Sequence, residues 1–341
     1  MQQKHQHKQH RGVGRRGVVA LGSLGLLEAA MAQAVPPAGT AARHEERGVA
    51  EWLERMHDAS RRRNYIGTLV VSSNTGAMSS ARIWHACDGP QQLERVEALT
   101  GAPRWTFRRN EEVVTFLPEA RVARTERREL LGLFPDLVKS SETSIPDFYA
   151  ARRLGSDRIA GFAADVVQLV PRDQLRWGYR IWSEKKSGLM VKLQTLDHDN
   201  AVLEQAAFSE LQLDAPVRAD KLSQMMAATG GWRVEKAEAA KCSAAAEGWQ
   251  LRAPVAGFRP VHCYRRPAPE GNMQWIFSDG LAAVSLFVEG YDARRHQQEG
   301  LLGSGATQTL TRRVQDWWLT AVGEVPPQTL KAFAQNLERA R

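Results

Sequence analysis

The chain has 341 residues, of which 43% are hydrophobic and 25% charged, an ordinary composition for a globular protein with room for two domains. Its formal net charge is +8, and without residues 1–34, which hold five basic residues and Glu28, the remaining 41 basic and 37 acidic residues leave +4. So weak a positive charge excludes the broad basic surface of a nucleic-acid-binding protein, although it suits an acidic protein segment or an anionic lipid head group.

Residues 1–34 are typical of a cleavable export signal. A basic stretch that ends at Arg15-Arg16 precedes a short apolar run from Gly17 to Leu27, and Ala30 to Ala34 has the small-residue spacing that a signal peptidase needs. The run is far shorter than the roughly 20 residues that span a bilayer. We therefore predict cleavage after Ala34 and a mature protein outside the cytoplasm, which argues against kinases, nucleotide switches and DNA-binding proteins. The arginine pair leaves Sec and twin-arginine export both open.

The first predicted domain, residues 48–213, is a large antiparallel sheet. An amphipathic helix, Val49 to Arg61, is followed by short β-runs with turn residues between them, which favours a meander over βαβ units. A sheet of order ten strands must curl or be covered, so we expect a curved half-barrel with helices over it. Leu130 to Val138 and Ile145 to Tyr149 look helical or irregular. The predicted strands are Tyr65–Val71, Ser80–His85, Gln92–Leu99, Arg104–Arg109, Glu112–Leu117, Ala120–Arg124, Tyr149–Leu154, Arg158–Ile159, Ala163–Pro171, Trp177–Ser183, Leu189–Leu196 and Val202–Leu213.

The rest of the chain is predicted to be a linker and a smaller domain. Residues 214–247 are the linker, with a short helix from Ala219 to Ala228. Residues 249–339 form a compact unit of four or five antiparallel strands and a C-terminal helix, Pro326 to Arg339. The fold class is therefore α+β. The strands of this domain are Phe258–Tyr264, Met273–Ser278, Ala283–Glu289, Gln308–Arg313 and Gln315–Val322.

Three cysteines remain after the signal, and an oxidising compartment permits one disulfide among them. Cys242 and Cys263 flank the start of the second domain, and we favour them as the pair, with Cys87 left over. Three unpaired buried cysteines are the alternative.

No catalytic motif is found in the sequence. The chain has no GxSxG, HExxH, phosphate-binding glycine loop or CxxC. His198 lies in Asp197-His198-Asp199-Asn200, where acidic residues could suggest a metal, but Asp and Asn here are better explained as turn formers. We predict a protein that is not an enzyme, with no cofactor and no bound metal.

Aromatic residues of the first domain suggest an apolar pocket. Trp105 and Phe107 alternate onto one face of a strand, Phe116 lies on the next strand, and Trp84 and Phe134 are expected to join them. If the sheet face is under-filled, these five residues line a lipid pocket. If a helix packs on them, they are ordinary core.

An arginine cluster begins in the sixth predicted strand and continues beyond it. Arg121, Arg124, Arg127 and Arg128 could bind an acidic partner or a phosphorylated head group. Alternatively they form a solvated strand edge, with Glu119, Glu126 and Glu129 as local partners.

The ordered succession of these segments resembles the RseB/MucB family of periplasmic regulators of envelope-stress sigma factors. The resemblance covers roughly residues 48–338 and is distributed over both domains, so it does not depend on one motif. It is carried by NYIGTLVV, RIWHACDGPQQLERVEALTGAPRWTFRRNEEVVTFLPE, WSEKKSGLMVKLQTLDHDNAVLEQAAFSEL, GFRPVHCYRR, SDGLAAVSLFVE and VGEVPPQTLKAFAQNL.

The resemblance implies a binding protein in the periplasm. Members bind the periplasmic segment of a membrane anti-sigma factor and shield it from proteolysis, with the smaller domain making much of the contact. Their larger domain is similar to the lipoprotein carriers LolA and LolB and is thought to sense misplaced lipoprotein or lipopolysaccharide.

We therefore expect a periplasmic negative regulator that releases its anti-sigma partner when an acylated ligand enters the first domain, with residues 214–247 as the hinge. Release requires that ligand and partner favour different conformations. A periplasmic lipid or lipoprotein carrier is the alternative hypothesis. Nucleic acid is not an expected partner, and the sequence is compatible with a homo-oligomer.

Overall fold

The computed structural model describes residues 47–89, 91–127, 145–236, 239–266 and 272–340. The export signal and its cleavage position, Phe134, Arg128 and the predicted helical run from Leu130 to Val138 lie outside these residues. No helix in the described ranges is long and apolar enough to cross a membrane.

A twelve-stranded sheet dominates the first part of the chain, as expected for the predicted fold class. Its strand order is β12-β6-β5-β4-β3-β2-β1-β11-β10-β9-β8-β7, and every pair is antiparallel except β12 with β6. The strands are β1 (Tyr65–Ser73), β2 (Met78–Asp88), β3 (Gln91–Ala98), β4 (Trp105–Arg109), β5 (Glu112–Leu117), β6 (Val122–Arg127), β7 (Tyr149–Ile159), β8 (Phe162–Pro171), β9 (Gly178–Glu184), β10 (Met190–Leu196), β11 (Val202–Leu213) and β12 (Arg233–Lys236).

One face of this sheet is covered by helix α1 (Val49–Arg62). Its apolar residues recur every three or four positions, so Trp52, Leu53 and Met56 lie on one stripe and are buried. They share a core with residues of β8, β9 and β10 and with the short helix α2 (Ile145–Phe148). β1 passes under the Phe208 ring at Gly67. Only glycine fits at this position, because a Cβ there would lie 2.7 Å from ring atoms. This face of the sheet is therefore covered by α1 and by the Phe208 ring.

The linker is more ordered than its composition suggests. Helix α3 (Ala219–Ala227) occupies nearly the predicted span, and β12 then joins the large sheet as a parallel edge strand beside β6. The sequence contains no strand signal here because Arg233–Lys236 has only one apolar residue.

A second, seven-stranded sheet holds the rest of the chain, in the order β13-β15-β16-β17-β20-β19-β18. Helix α4 (Pro327–Asn336) packs on it through Leu330 and Phe333, both fully buried. The sheet strands are β13 (Ala240–Lys241), β15 (Arg259–Arg265), β16 (Met273–Ser278), β17 (Ala283–Gly290), β18 (Gly300–Ser304), β19 (Thr307–Val314) and β20 (Trp317–Gly323), and a separate two-stranded pair joins β14 (Trp249–Leu251) to β21 (Leu337–Arg339).

The second sheet exceeds the predicted four or five strands. The strand β18 was missed because Gly-Leu-Leu-Gly-Ser has no alternation of apolar and polar residues. The predicted C-terminal helix is also too long, because the chain leaves α4 at Leu337 to pair with β14. Cys242 and Cys263 form a disulfide with 5.1 Å between their Cα atoms, and Cys87 is free.

Candidate functional site

The predicted aromatic residues lie together on one face of the large sheet. Trp84 pairs across the strands with Arg95, and Arg95 with Phe107, so these three side chains share a face. Trp105 and Phe116 are directly opposite each other on the same face, and the rings of Phe107 and Phe116 meet edge to face at 5.7 Å.

This aromatic face is opposite to the face that α1 covers. Ile83 precedes Trp84 on β2 and belongs to the same buried cluster as Ala59 of α1. Because neighbouring residues of a strand point to opposite sides, Trp84 and its companions point away from α1. The sequence pattern placed the aromatic residues on one face but could not say which element covers it.

The segment that follows β11 covers the aromatic face. Met226 of α3 is buried with Phe107 and Phe116, and the Trp232 ring lies 5.0 Å from the ring of Phe116 and 6.2 Å from that of Trp105. An apolar ligand could reach this face only if residues 217–232 moved away. The assignment of Trp84, Trp105, Phe107 and Phe116 to a lipid pocket therefore stays a prediction.

Trp84 belongs to a neighbouring cluster under the same segment. It packs beside Leu222 of α3, and the Arg95 guanidinium lies over its ring at 4.5 Å. A cation over an indole face is attracted by the ring quadrupole, so Arg95 holds Trp84 against the sheet.

The predicted arginine cluster is divided among local partners. Arg124 forms an ion pair with Glu235 of β12 at 3.2 Å, and Arg127 pairs with Glu111 at 3.1 Å. Arg121 lies in the turn before β6, where its carbonyl accepts the backbone N–H of Arg233. Binding of a head group or an acidic partner by these arginines stays a prediction, and exposed pairs of this kind are weak enough to be exchanged.

A small apolar cavity lies on the other face, beneath α1. It has a volume of about 10 Å³, about the smallest space that holds one water molecule. Its walls come from α1, from β8 to β10 and from the second sheet. The lining residues are Met56, Leu169, Tyr179, Ile181, Met190, Leu193 and Leu281.

Leu281 reaches this cavity from the turn between β16 and β17. Asp279 shapes the turn, because its Oδ1 accepts the backbone N–H groups of Leu281 at 2.9 Å and Ala282 at 2.7 Å. The sequence predicts a turn at Ser278-Asp279-Gly280 but contains no signal that its next residue inserts beneath α1. A side chain of the second sheet thus completes an apolar site of the first.

Arg176 anchors the same turn from the first sheet. It lies in the loop between β8 and β9, its side chain is fully buried, and its Nε donates to Asp279 Oδ2 at 2.8 Å. It also donates to Ala256 O at 2.6 Å, forms an ion pair with Asp173, and stacks against the Phe148 ring at 4.1 Å. Burial raises the pKa of Asp279, and the backbone N–H groups and Arg176 oppose that shift.

Further hydrogen bonds join this region of the first sheet to the second. Thr329 of α4 donates its hydroxyl to Leu175 O at 2.7 Å, and Trp177 Nε1 donates to Ala306 O at 3.0 Å. Leu175 itself packs against the core of the second sheet. The β8–β9 loop is therefore the main element that holds the two sheets together around Leu281.

Within the described ranges, no group of three or more His, Cys, Asp and Glu side chains is placed to hold a metal ion. The segment Asp197–Asn200 forms a turn, in which Asp197 Oδ1 accepts the N–H groups of Asp199 and Ala201. On both faces of the large sheet, the candidate site consists of apolar side chains covered by other segments of the chain.

Comparison with known proteins identifies the relatives of this chain. The model of the MucB/RseB N-terminal domain matches residues 48–226, and that of the MucB/RseB C-terminal domain matches residues 243–338. The sigma-E factor regulatory protein RseB of Escherichia coli K12 is 27% identical over 291 residues, covering 84% of this chain and 89% of that protein. The sigma factor AlgU regulatory protein MucB of Pseudomonas aeruginosa is 28% identical over 305 residues, covering 84% and 90%.

Solved structures of MucB share the fold. The Pseudomonas aeruginosa MucA/MucB complex matches with a TM-score of 0.65 at 24% identity, covering 86% of this chain and 99% of that one. A crystal structure of MucB matches with a TM-score of 0.62 at 24% identity, covering 85% and 97%. The resemblance that the sequence motifs carry is thereby confirmed: the chain belongs to the MucB/RseB family.

Proposed function

We propose that this protein is a periplasmic negative regulator of an envelope-stress sigma factor. It binds the periplasmic region of a membrane anti-sigma factor, protects that region from proteolysis, and releases it when an acylated ligand binds. Relatives named as sigma factor regulatory proteins and the structure of MucB in complex with MucA(peri) support the choice of partner. The basic and apolar segments of residues 1–34 support export.

The insertion of Leu281 beneath α1 carries the proposal of ligand-dependent release. The cavity that Leu281 helps to line is lined by apolar side chains but is far too small for an acyl chain. A chain that enters must displace Leu281 or move α1, and either change alters the contact between the two sheets. We call the arrangement with Leu281 beneath α1 the closed arrangement. A bound acyl chain and the closed arrangement exclude each other, so the ligand binds the closed arrangement more weakly than an open one. Such a difference in affinity is what a ligand needs to shift a conformational equilibrium.

The partner is proposed to favour the closed arrangement, in which the half-buried Leu281 side chain lies beneath α1. If the anti-sigma region contacts both sheets, it binds best when their relative position is fixed by Arg176, Thr329 and Leu281. An acylated ligand then weakens partner binding, and by linkage the partner weakens ligand binding by the same factor.

Calorimetry with the full mature protein tests this function. The periplasmic segment of the host's anti-sigma factor is titrated with and without a triacylated lipopeptide. We expect binding of the segment and at least tenfold weaker binding in the presence of the lipopeptide. Failure of the segment to bind, with tight binding of the lipopeptide, would replace the regulator by a carrier.

A polar variant of the cavity wall locates the ligand. Leu193→Asn replaces an apolar wall residue by an amide of similar size that does not fill the cavity, so it should leave partner binding intact while weakening lipopeptide binding and hence the sensitivity to the lipopeptide. Leu154→Asn, on the exposed edge strand β7, is the matched control. Trp105→Glu tests the aromatic face in the same assay: loss of lipopeptide binding in this variant alone would place the ligand there.

A further inference from the structure

The outer strand of the second sheet, β18, has an unprotected edge. It pairs with β19 on one side, from Gly300 opposite Thr311 to Ser304 opposite Thr307, and in the described part of the chain no strand pairs with its other side. All five of its residues are exposed, and the Leu302 side chain is the most exposed large apolar group described, at 76%.

The other three edges of the two large sheets carry features that prevent strand addition. β7 has Arg152, Arg153 and Arg158 along it and a register shift before Gly155. β12 is four residues long with three charged side chains, and β13 has only two residues. Natural edges are normally shortened, charged or bulged in this way, because unpaired backbone groups recruit other strands. Gly-Leu-Leu-Gly-Ser has no charge, proline or register shift, so β18 lacks these protective features.

The end of β18 leads directly onto the large sheet. The chain turns at Gly305, which has a φ of +59°, and a Cβ there would lie 3.1 Å from Ser73 Cβ and 3.0 Å from Glu204 Oε2. Glu204 lies on β11, opposite Ser73 of β1. Two exposed apolar residues lie on the strands that meet here: Met78, opposite Ser72, at 70% exposure, and Val202, two positions before Glu204, at 37%. β18 therefore ends beside the end of the large sheet that carries these two residues.

We infer that an extended segment of the anti-sigma partner adds to β18 as an eighth strand and continues toward Met78 and Val202. This inference rests on the proposed function and names the surface that serves it. Alternate backbone N–H and C=O groups of β18 require an extended polypeptide, and Leu302 offers an apolar contact beside them. A segment bound here touches both sheets and holds them in the arrangement that places Leu281 beneath α1.

A second copy of this chain fits the edge less well. Antiparallel pairing of two β18 strands would join only five residues on each side, far below the roughly 1,000 Å² that a stable interface buries. A flexible segment has no such limit, because it can follow the surface from β18 onto the large sheet.

A charge placed on the edge tests the inference. Leu302→Lys adds a solvated cation where a strand would pair, and should weaken binding of the anti-sigma periplasmic segment at least tenfold in calorimetry without changing the melting temperature. Val261→Lys, at an exposed position of β15 where the register shifts between Pro260 and His262, is the matched control and should bind normally. Hydrogen exchange should show that the segment protects the amides of β18 that point away from β19, which alternate along the strand.

The outcomes separate this inference from the proposed function. Normal binding by Leu302→Lys, with no new protection in β18, would overturn the inference and leave the regulator intact. Absence of binding by the unaltered protein would overturn both. Protection of β18 in the protein alone that rises with its concentration and disappears in Leu302→Lys would show a second copy on the edge, and would also overturn the inference.

Discussion

Arg176 donates a hydrogen bond from Nε to Asp279 Oδ2 at 2.8 Å, although the two residues are 103 positions apart and lie in loops that connect strands of different sheets. Their side chains are 0% and 1% exposed. A buried ion pair adds little net stability compared with apolar packing, but loss of one partner leaves the other charge buried and unpaired. The pair therefore fixes the position of the turn that carries Leu281, because any other position would leave a buried charge unpaired.

Replacement of Arg176 by alanine is expected to be strongly destabilising. Asp279 would lose its buried cation and Ala256 O its donor, so the free energy of unfolding should fall by about 3–5 kcal/mol. Urea unfolding monitored by tryptophan fluorescence measures the change.

The control is Arg82→Ala, because the Arg82–Glu210 pair is exposed at 42% and 72%. That substitution should cost no more than about 1 kcal/mol. Equal effects of the two substitutions would show that the buried pair has no special part in holding the sheets together.

The local sequence pattern predicted many of the strands and helices, but not the contacts between residues that are distant in sequence. Glu112–Leu117 and Val202–Leu213 have the predicted bounds because β-branched and aromatic residues recur there between turn residues. The pairing of Arg176 with Asp279 has no local signature, since burial and partner are set only when the sheets meet. The same is true of Trp232, which covers Phe116 although it belongs to a segment with a linker composition.

His85 should make the protein less stable in acid. It lies stacked on Tyr65 with 4.8 Å between ring centroids, and burial lowers its pKa from 6.5 to about 4, with the Arg108 charge adding to the shift and a hydrogen bond to the Ser60 backbone opposing it. The unfolded chain binds this proton near pH 6.5 and the folded protein only near pH 4, so unfolding takes up a proton between them. Stability from this residue is complete above pH 6.5 and falls by up to about 3 kcal/mol as the pH drops toward 4.

The measurement compares the unaltered protein with His85→Phe, which keeps a ring against Tyr65 but does not titrate. The difference in their unfolding free energies should be constant above pH 7 and should shift in favour of the variant as the pH falls from 6.5 to 4. A difference that stays constant over this range would mean that the imidazole accepts its proton in the folded state as readily as in the unfolded chain.

Reduction of the Cys242–Cys263 disulfide should weaken the second sheet selectively. The bond closes a loop across a sequence separation of 21 residues, and a cross-link of this span stabilises by about 3 kcal/mol. The double variant Cys242→Ala, Cys263→Ala should therefore have a lower melting temperature. The decrease should be seen in the tryptophan fluorescence of Trp249 and Trp317, which lie in the second domain. Cys87→Ala, at the free cysteine, is the control that should leave this fluorescence transition unchanged.

The two consecutive methionines of α3 distinguish a packed aromatic face from a ligand site. Met226 is 5% exposed against Phe107 and Phe116, whereas Met225 is 40% exposed. Met226→Ala should lower the free energy of unfolding by about 2–3 kcal/mol through the cavity that it leaves, and Met225→Ala should leave it nearly unchanged.

The same two variants also report where the ligand binds. If acyl chains bind where Leu281 inserts, neither substitution changes lipopeptide affinity. If they bind the aromatic face, they compete with α3, so Met226→Ala loosens the cover and raises that affinity while Met225→Ala leaves it as it was.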